Sequence, residues 1–228
     1  MVDLKFPQLA IFDCDGVLVD SELLACGAVA SSLSEIGIGV TTEDIVSRYA
    51  GISADAMYQD LEVRFGRGIS PEIREAIQRR VLAEFERDLH PMPGVDELLR
   101  SLSCPACVAS SSSLQRIEFS LRRTSLIQYF SKHIFSATQV AKGKPAPDLF
   151  LLTADRMKAT PAKCIVIEDS VSGITAANTA GMYAIGFIGG SHFSTELANR
   201  LGAANARILV DGMQELKKVL TNLRHKSN

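Results

Sequence analysis

Leu9-Ala10-Ile11-Phe12-Asp13-Cys14-Asp15-Gly16 is the stretch that decides how this chain is read. Four apolar residues in a row end on an acid. That is the pattern of a short strand buried on both faces whose C-terminal end delivers a polar side chain. The pattern returns downstream, where 107–110, 133–136, 164–168, 182–187 and 207–210 read as candidate strands. Helical periodicity fills the gaps, at about 114–124, 147–158, 171–180, 195–201 and 212–223. Strands alternating with helices imply a doubly wound parallel sheet covered on both faces.

The segment between the first strand and the second reads differently. From about residue 21 to 89 the period is helical: Leu23, Leu24, Ala28, Leu33 and Ile36 fall near a 3.6-residue repeat, and Ile73, Ile77, Val81, Phe85 and Leu89 recur every four residues. Ser70-Pro71 is a helix start, because proline suits the first helical turn. Pro91-Met92-Pro93-Gly94 breaks the pattern. The reading is one α/β domain, residues 1–19 and 91–228, with a bundle of about four helices, residues 20–90, inserted into it. Internal repeats and low-complexity segments are absent, apart from four consecutive serines at 110–113.

Composition bounds the function. The chain has 228 residues, 46% of them hydrophobic, which is enough for a sizeable core in both parts. A formal net charge of −2 gives no basic face for nucleic acid. The opening MVDLKFPQLAIFD places two charges before an apolar run too short for a signal-peptide core. Nothing approaches the roughly 18 apolar residues of a membrane span; the uncharged stretch 170–195 is interrupted by Ser, Thr, Asn and five Gly. The expectation is a cytoplasmic protein without a membrane partner. Five cysteines are an odd number for a disulfide framework. Cys104-Pro105-Ala106-Cys107 lacks the second pair a zinc site needs, and it runs into a strand rather than opening a helix as a redox pair does. Free thiols, buried or half-buried, are expected there.

Ligands of open parallel sheets bind outside the carboxyl ends of the strands. Those ends carry Asp13 and Asp15, then Ser110 and Ser111, then Lys144 in Gly143-Lys144-Pro145, then Glu168 and Asp169. Several carboxylates on one edge repel one another unless a cation lies among them. Oxygen-only ligands suit Mg²⁺, which also bridges to phosphate. A lysine and small hydroxyls suit a phosphoryl group, whose charge must be neutralised during transfer. An aspartate can attack phosphorus, and a second acid two residues on can protonate the leaving oxygen and then activate water. Singly, each residue has a plainer reading. An Asp after a strand usually caps a turn or helix, as do Asp20 and Ser21 on that view; Gly-Lys-Pro is a loop; Glu168-Asp169 caps the next helix. The combination in this order is what shifts the reading. A P-loop is excluded, because Lys144 is followed by Pro and the upstream glycine spacing is wrong.

Asp13-Cys-Asp15-Gly16-Val17-Leu18-Val19-Asp20-Ser21-Glu22 resembles the first motif of the haloacid dehalogenase superfamily. Ser110 resembles its second motif, Lys144 its third, and Val166-Ile167-Glu168-Asp169-Ser170 with Gly173 its fourth. The helical insertion is similar to that superfamily's small α-helical cap. The resemblance implies Asp13 as nucleophile and Mg²⁺ ligand, and Asp15 as general acid/base and backbone ligand. It implies Ser110, Ser111 N–H and Lys144 as phosphoryl holders, Asp169 as a Mg²⁺ ligand, and Glu168 as a ligand or its support. Asp15 argues against dehalogenation, which generally lacks this second acid. The loop Arg48-Tyr49-Ala50-Gly51-Ile52-Ser53 resembles the family's specificity loop. Glu22, Arg48 and Gly51 are therefore the candidates for substrate contact, with Arg64, Arg67 and Arg116 behind them.

The implied activity is a phosphatase for a small phosphorylated metabolite, a sugar or sugar-acid phosphate. The alternative is a sugar phosphomutase of the β-phosphoglucomutase type. Those enzymes carry a histidine shortly after the first motif, where this chain has Glu22-Leu-Leu-Ala-Cys26. A receiver-type phospho-acceptor shares the acids and the lysine on a parallel sheet, but it is half as long and lacks the insertion.

Overall fold

A computed structural model describes residues 7–49, 51–130 and 132–225. The charged opening of the N-terminal segment and Ala50 of the loop lie outside the described residues. Six parallel strands form one sheet, β1 (Leu9–Phe12), β2 (Ala106–Ser110), β3 (Ile134–Ser136), β4 (Cys164–Glu168), β5 (Tyr183–Phe187) and β6 (Ile208–Val210). Their order is β3-β2-β1-β4-β5-β6. Every neighbour pair is parallel, with Ile11 opposite Cys107 on one side of β1 and Val166 on the other. Successive connections run outward from β1 in one direction and then, from β4, in the other. β1 is therefore the switch point where such sheets open a crevice.

The apolar run of β1 serves two cores because side chains alternate along a strand. Ala10 and Phe12 belong to one buried cluster, Leu9 and Ile11 to the other. All four residues of β1 and all five of β4 are buried, as strands covered on both faces require.

Between β1 and β2 run α1 (Glu22–Glu35), α2 (Thr42–Tyr49), α3 (Ala54–Phe65) and α4 (Pro71–Asp88). Ser70 caps α4 through its side chain and Pro71 opens it, as the sequence predicts. Ile77, Val81 and Phe85 are its buried stripe. In α1 the inward face is Ala25, Cys26, Ala28, Val29, Ala30 and Leu33, whereas Leu23 is 42% exposed; the helix is rotated from the predicted phase. The interior of these helices is continuous with the sheet face that carries Ala10 and Phe12.

After them come α5 (Val95–Ser101), α6 (Leu114–Arg123), α7 (Ile127–Phe130), α8 (Asp148–Arg156), α9 (Val171–Thr179), α10 (Thr195–Ala203) and α11 (Met213–His225). The predicted strands and helices all appear, with ends shifted by one or two residues. α5 and α7 are additional, and at seven and four residues they are too short to show a period. All five cysteines are free. Cys107 lies buried in β2, so burial pushes its thiol well up. Among the described residues no helix is long and apolar enough to cross a membrane.

Candidate active site

Asp13 follows directly on β1. Its backbone N–H donates to Ile167 O of β4 at 3.0 Å, which fixes the carboxyl at the strand ends. The chain then turns back sharply, with Leu18 N and Val19 N both donating to Cys14 O. Gly16 has φ +73, and a Cβ there would lie 1.8 Å from Asp169 Oδ2. Only glycine admits both the turn and the close carboxylate.

Lys144 Nζ reaches across the edge. It donates to Asp13 Oδ1 at 2.8 Å, to Ala109 O at 3.0 Å and to Glu168 Oε1. The ammonium is buried, which would lower its pKa, but Asp13 and Glu168 outweigh burial and hold it above the usual lysine range. Glu168 is engaged on its other oxygen too, where Ser170 Oγ donates to Oε2 at 2.8 Å. Gly173 makes room for this carboxyl, since a Cβ there would sit 1.9 Å from Glu168 Cδ.

Asp15 is held by three donors. Ser21 Oγ is 2.7 Å from Oδ1, Ser112 Oγ 2.6 Å from Oδ2 and Arg116 Nη2 3.0 Å from Oδ1. Burial would push this carboxyl up, but Arg116 and the two hydroxyls outweigh it and keep its pKa below the usual range. Asp13 is the opposite case. Burial, helped by the charges of Glu168 and Asp15, pushes it up to about 7 in spite of Lys144. Two acids two residues apart are thus driven in opposite directions by their surroundings.

Asp13, Glu168 and Asp169 each bring an oxygen within 4.8 Å of the others, all buried. Among the described residues neither oxygen of Asp169 has a hydrogen-bond partner beyond the His192 ring, 3.1 Å from Oδ2, and burial raises its pKa. A buried carboxylate with so few donors is costly unless something neutralises it. The donor set is all oxygen, so a hard divalent cation fits.

A cavity of about 540 Å³ opens above these groups, within the range of small-molecule sites. Its floor includes Asp13, Asp15, Ser110, Ser111 and Arg116, and its roof comes from α1 to α4. Glu22 and Gly51 line it. Arg48 does not: it is exposed on α2, where Ile45 and Tyr49 take the buried face. Arg64 and Arg67 are also absent from its walls, and Arg64 donates instead to Tyr49 Oη at 3.0 Å. Arg116, one of the three fainter sequence candidates, is the arginine at the floor, with its guanidinium 5.0 Å from the Phe85 ring centroid.

The sequence reading missed Ser21 and Ser112 as partners of Asp15, and His192 altogether. His192 follows β5, and its Nε2 lies 3.1 Å from Asp169 Oδ2. Burial would lower its pKa, but Asp169 outweighs burial and raises it to about 9. The signal in the sequence was Gly189-Gly190, two consecutive residues without side chains just before it.

A family model described as haloacid dehalogenase-like hydrolase matches residues 10–187. The 6-phosphogluconate phosphatase of Escherichia coli strain K12 is 28% identical over 186 residues, 81% of this chain and 84% of that protein. The beta-phosphoglucomutase of Bacillus subtilis strain 168 is 33% identical over 190 residues, 78% and 82%. A conserved haloacid dehalogenase-like protein of unknown function from Agrobacterium tumefaciens superposes with TM-score 0.82 at 36% identity, covering 95% of this chain and 98% of its own.

Proposed function

The chain belongs to the haloacid dehalogenase-like hydrolases, and from that membership we propose that it is a Mg²⁺-dependent phosphatase of a small phosphorylated metabolite, with Asp13 as nucleophile. The observation that carries the reading is the pair of acids after β1 in opposite electrostatic settings, beside a buried lysine and the buried Asp169 carboxylate.

Asp13 attacks phosphorus, the ester P–O bond breaks, and the leaving oxygen takes a proton from Asp15. Asp15 then removes a proton from water. The water oxygen attacks the aspartyl-phosphate, releasing phosphate and restoring Asp13. Arg116 favours the ionised Asp15 needed for the second half. An incoming phosphoryl anion raises the pKa of a neighbouring carboxyl, which favours the protonated form needed for the first. Ser110, the Ser111 N–H and Lys144 hold the phosphoryl oxygens. Asp13, Asp169 and the Asp15 carbonyl would hold Mg²⁺, and Glu168, already engaged by Lys144 and Ser170, works chiefly by aiming Lys144. When bound, the cation supplies charge neutralisation for the transferring group.

Residues 20–90 form the cap, and Glu22 and Gly51 bear on the substrate. A sugar or sugar-acid phosphate is the substrate class, in keeping with a relative named 6-phosphogluconate phosphatase. The relative named beta-phosphoglucomutase favours phosphoryl transfer to sugar as the second reading.

The test is phosphate release from a panel of sugar phosphates. Wild-type protein with Mg²⁺ is expected to turn over and to stop when EDTA is added. Asp13→Asn is expected to lose about a thousandfold or more in kcat, as removal of a covalent nucleophile does. Substantial turnover by Asp13→Asn, or full activity after chelation, overturns the mechanism.

A further inference from the structure

We propose that His192 is a positioning residue for Asp169, backing one carboxylate oxygen so that the other faces the cation; the inference rests on the metal reading above. The two side chains are 2% and 1% exposed, and Nε2 stands 3.1 Å from Oδ2. Among the described residues no other group hydrogen-bonds to either ring nitrogen or to either carboxylate oxygen. A histidine kept only for packing normally has its buried nitrogens satisfied by the surrounding core. Here the ring is directed at a carboxylate instead.

The slot is built for the ring. A Cβ at Gly190 would lie 2.7 Å from both Cε1 and Nδ1 of His192, and a Cβ at Gly16 would lie 3.0 Å from Cε1. Such contacts under 3 Å do not occur between well-packed atoms, so Gly190 is needed for this ring position. The loop is also tied down. Asp20 Oδ1 accepts from Ser191 N at 3.0 Å and from Ser191 Oγ at 2.8 Å. Phe193 N donates to Gly190 O at 3.0 Å, closing the turn around His192. Asp20 thus acts as a brace from the segment after Asp13 to the loop that carries the ring. Groups that orient ligands from behind a metal typically change its affinity about 10–100-fold when removed.

The experiment is calorimetric titration of MgCl₂ into substrate-free wild type, His192→Ala, His192→Gln and Gly190→Ala, with far-UV circular dichroism on each. The Mg²⁺ dissociation constant is expected to rise about tenfold or more in His192→Ala. His192→Gln, which keeps a donor, is expected to recover most of the loss. Gly190→Ala keeps the histidine but displaces it, and is expected to weaken Mg²⁺ as well. Should His192→Ala fail to fold, the same comparison is made with the other two. Wild-type Mg²⁺ affinity in folded variants overturns the role of His192 and leaves the metal reading standing. Absence of Mg²⁺ binding by wild type overturns both.

Discussion

Glu22 begins α1 and turns its carboxyl into the cavity, where its hydrogen-bond contact among the described residues is Cys26 Sγ at 3.7 Å. Burial first, then the charges of Asp169 and Asp15, push its pKa up from 4.5 to about 8. An acid whose folded pKa is raised binds its proton more tightly when folded, so stability is full below 4.5 and is lost as pH rises to about 8. Glu22→Gln keeps the shape and removes the titration. In EDTA, the melting temperature of Glu22→Gln relative to wild type is expected to climb by several degrees between pH 5 and pH 8.5. A difference that stays flat across that window would count against the buried carboxyl. Residues were legible in the sequence where spacing to a strand end fixed them: Asp13, Asp15, Lys144 and Asp169 converge as predicted. Ser112 was hidden in a run of four serines, in which sequence does not say which hydroxyl turns to Asp15. Arg48 misled because its loop neighbours pointed to the site while Ile45 and Tyr49, four apart, had already claimed the inward face of α2. His192 sits 19 residues beyond Gly173, the end of the last motif, and the fold brings it back to Asp169.

At the scale of elements, the joint between α2 and α3 is pinned to the sheet side of the molecule. Gly51 O accepts from Ser111 Oγ at 3.2 Å and from Ser172 Oγ at 3.0 Å. Gly51 has φ +74, and a Cβ on it would sit 2.1 Å from Ser170 Cβ. An alanine there meets backbone strain of about 1–2 kcal/mol as well as that clash. Since every 1.4 kcal/mol is tenfold in an equilibrium, Gly51→Ala is expected to lower kcat/KM at least tenfold with little change in melting temperature, because the joint can undock without opening the core. Ser172→Ala removes one bond of two, at about 0.5–1.5 kcal/mol, and is expected to cost only a few-fold. Wild-type kcat/KM in Gly51→Ala would show that this docking is irrelevant to turnover. The strands themselves were legible because apolar runs of four or five residues between turn signals have few other readings. The docking of the joint was not, since it depends on hydroxyls about 60 and 120 residues away.

For the whole molecule, the question the proposed mechanism raises is which acceptor would take the phosphoryl group from Asp13. The sheet places the acids, the lysine and the hydroxyls at its switch point, an arrangement that serves water and sugar equally. The difference must come from what α1 to α4 put over Asp15. A phosphomutase has to keep water from the aspartyl-phosphate until a sugar hydroxyl arrives, which calls for a group that gates the acid/base. The partners of Asp15 are Ser21, Ser112 and Arg116, and among the described residues no histidine bonds to it. Ala25 lies buried on the cavity wall at about the place where the mutases carry their histidine, and it can neither donate nor accept a proton. His192, the histidine that the described residues bring to the site, faces Asp169. Arg116 moreover holds the Asp15 carboxyl below the usual carboxylate range, which suits the base that the proposed hydrolysis calls for. Glucose 1-phosphate and related esters are therefore expected to yield inorganic phosphate as the main product, with no requirement for a sugar bisphosphate primer. The check is a product assay following phosphate and isomerised sugar phosphate together, with and without bisphosphate. Isomer appearing faster than phosphate would transfer the chain to the mutases, and it would require that the gate be supplied by Arg116 or Glu22 instead of a histidine.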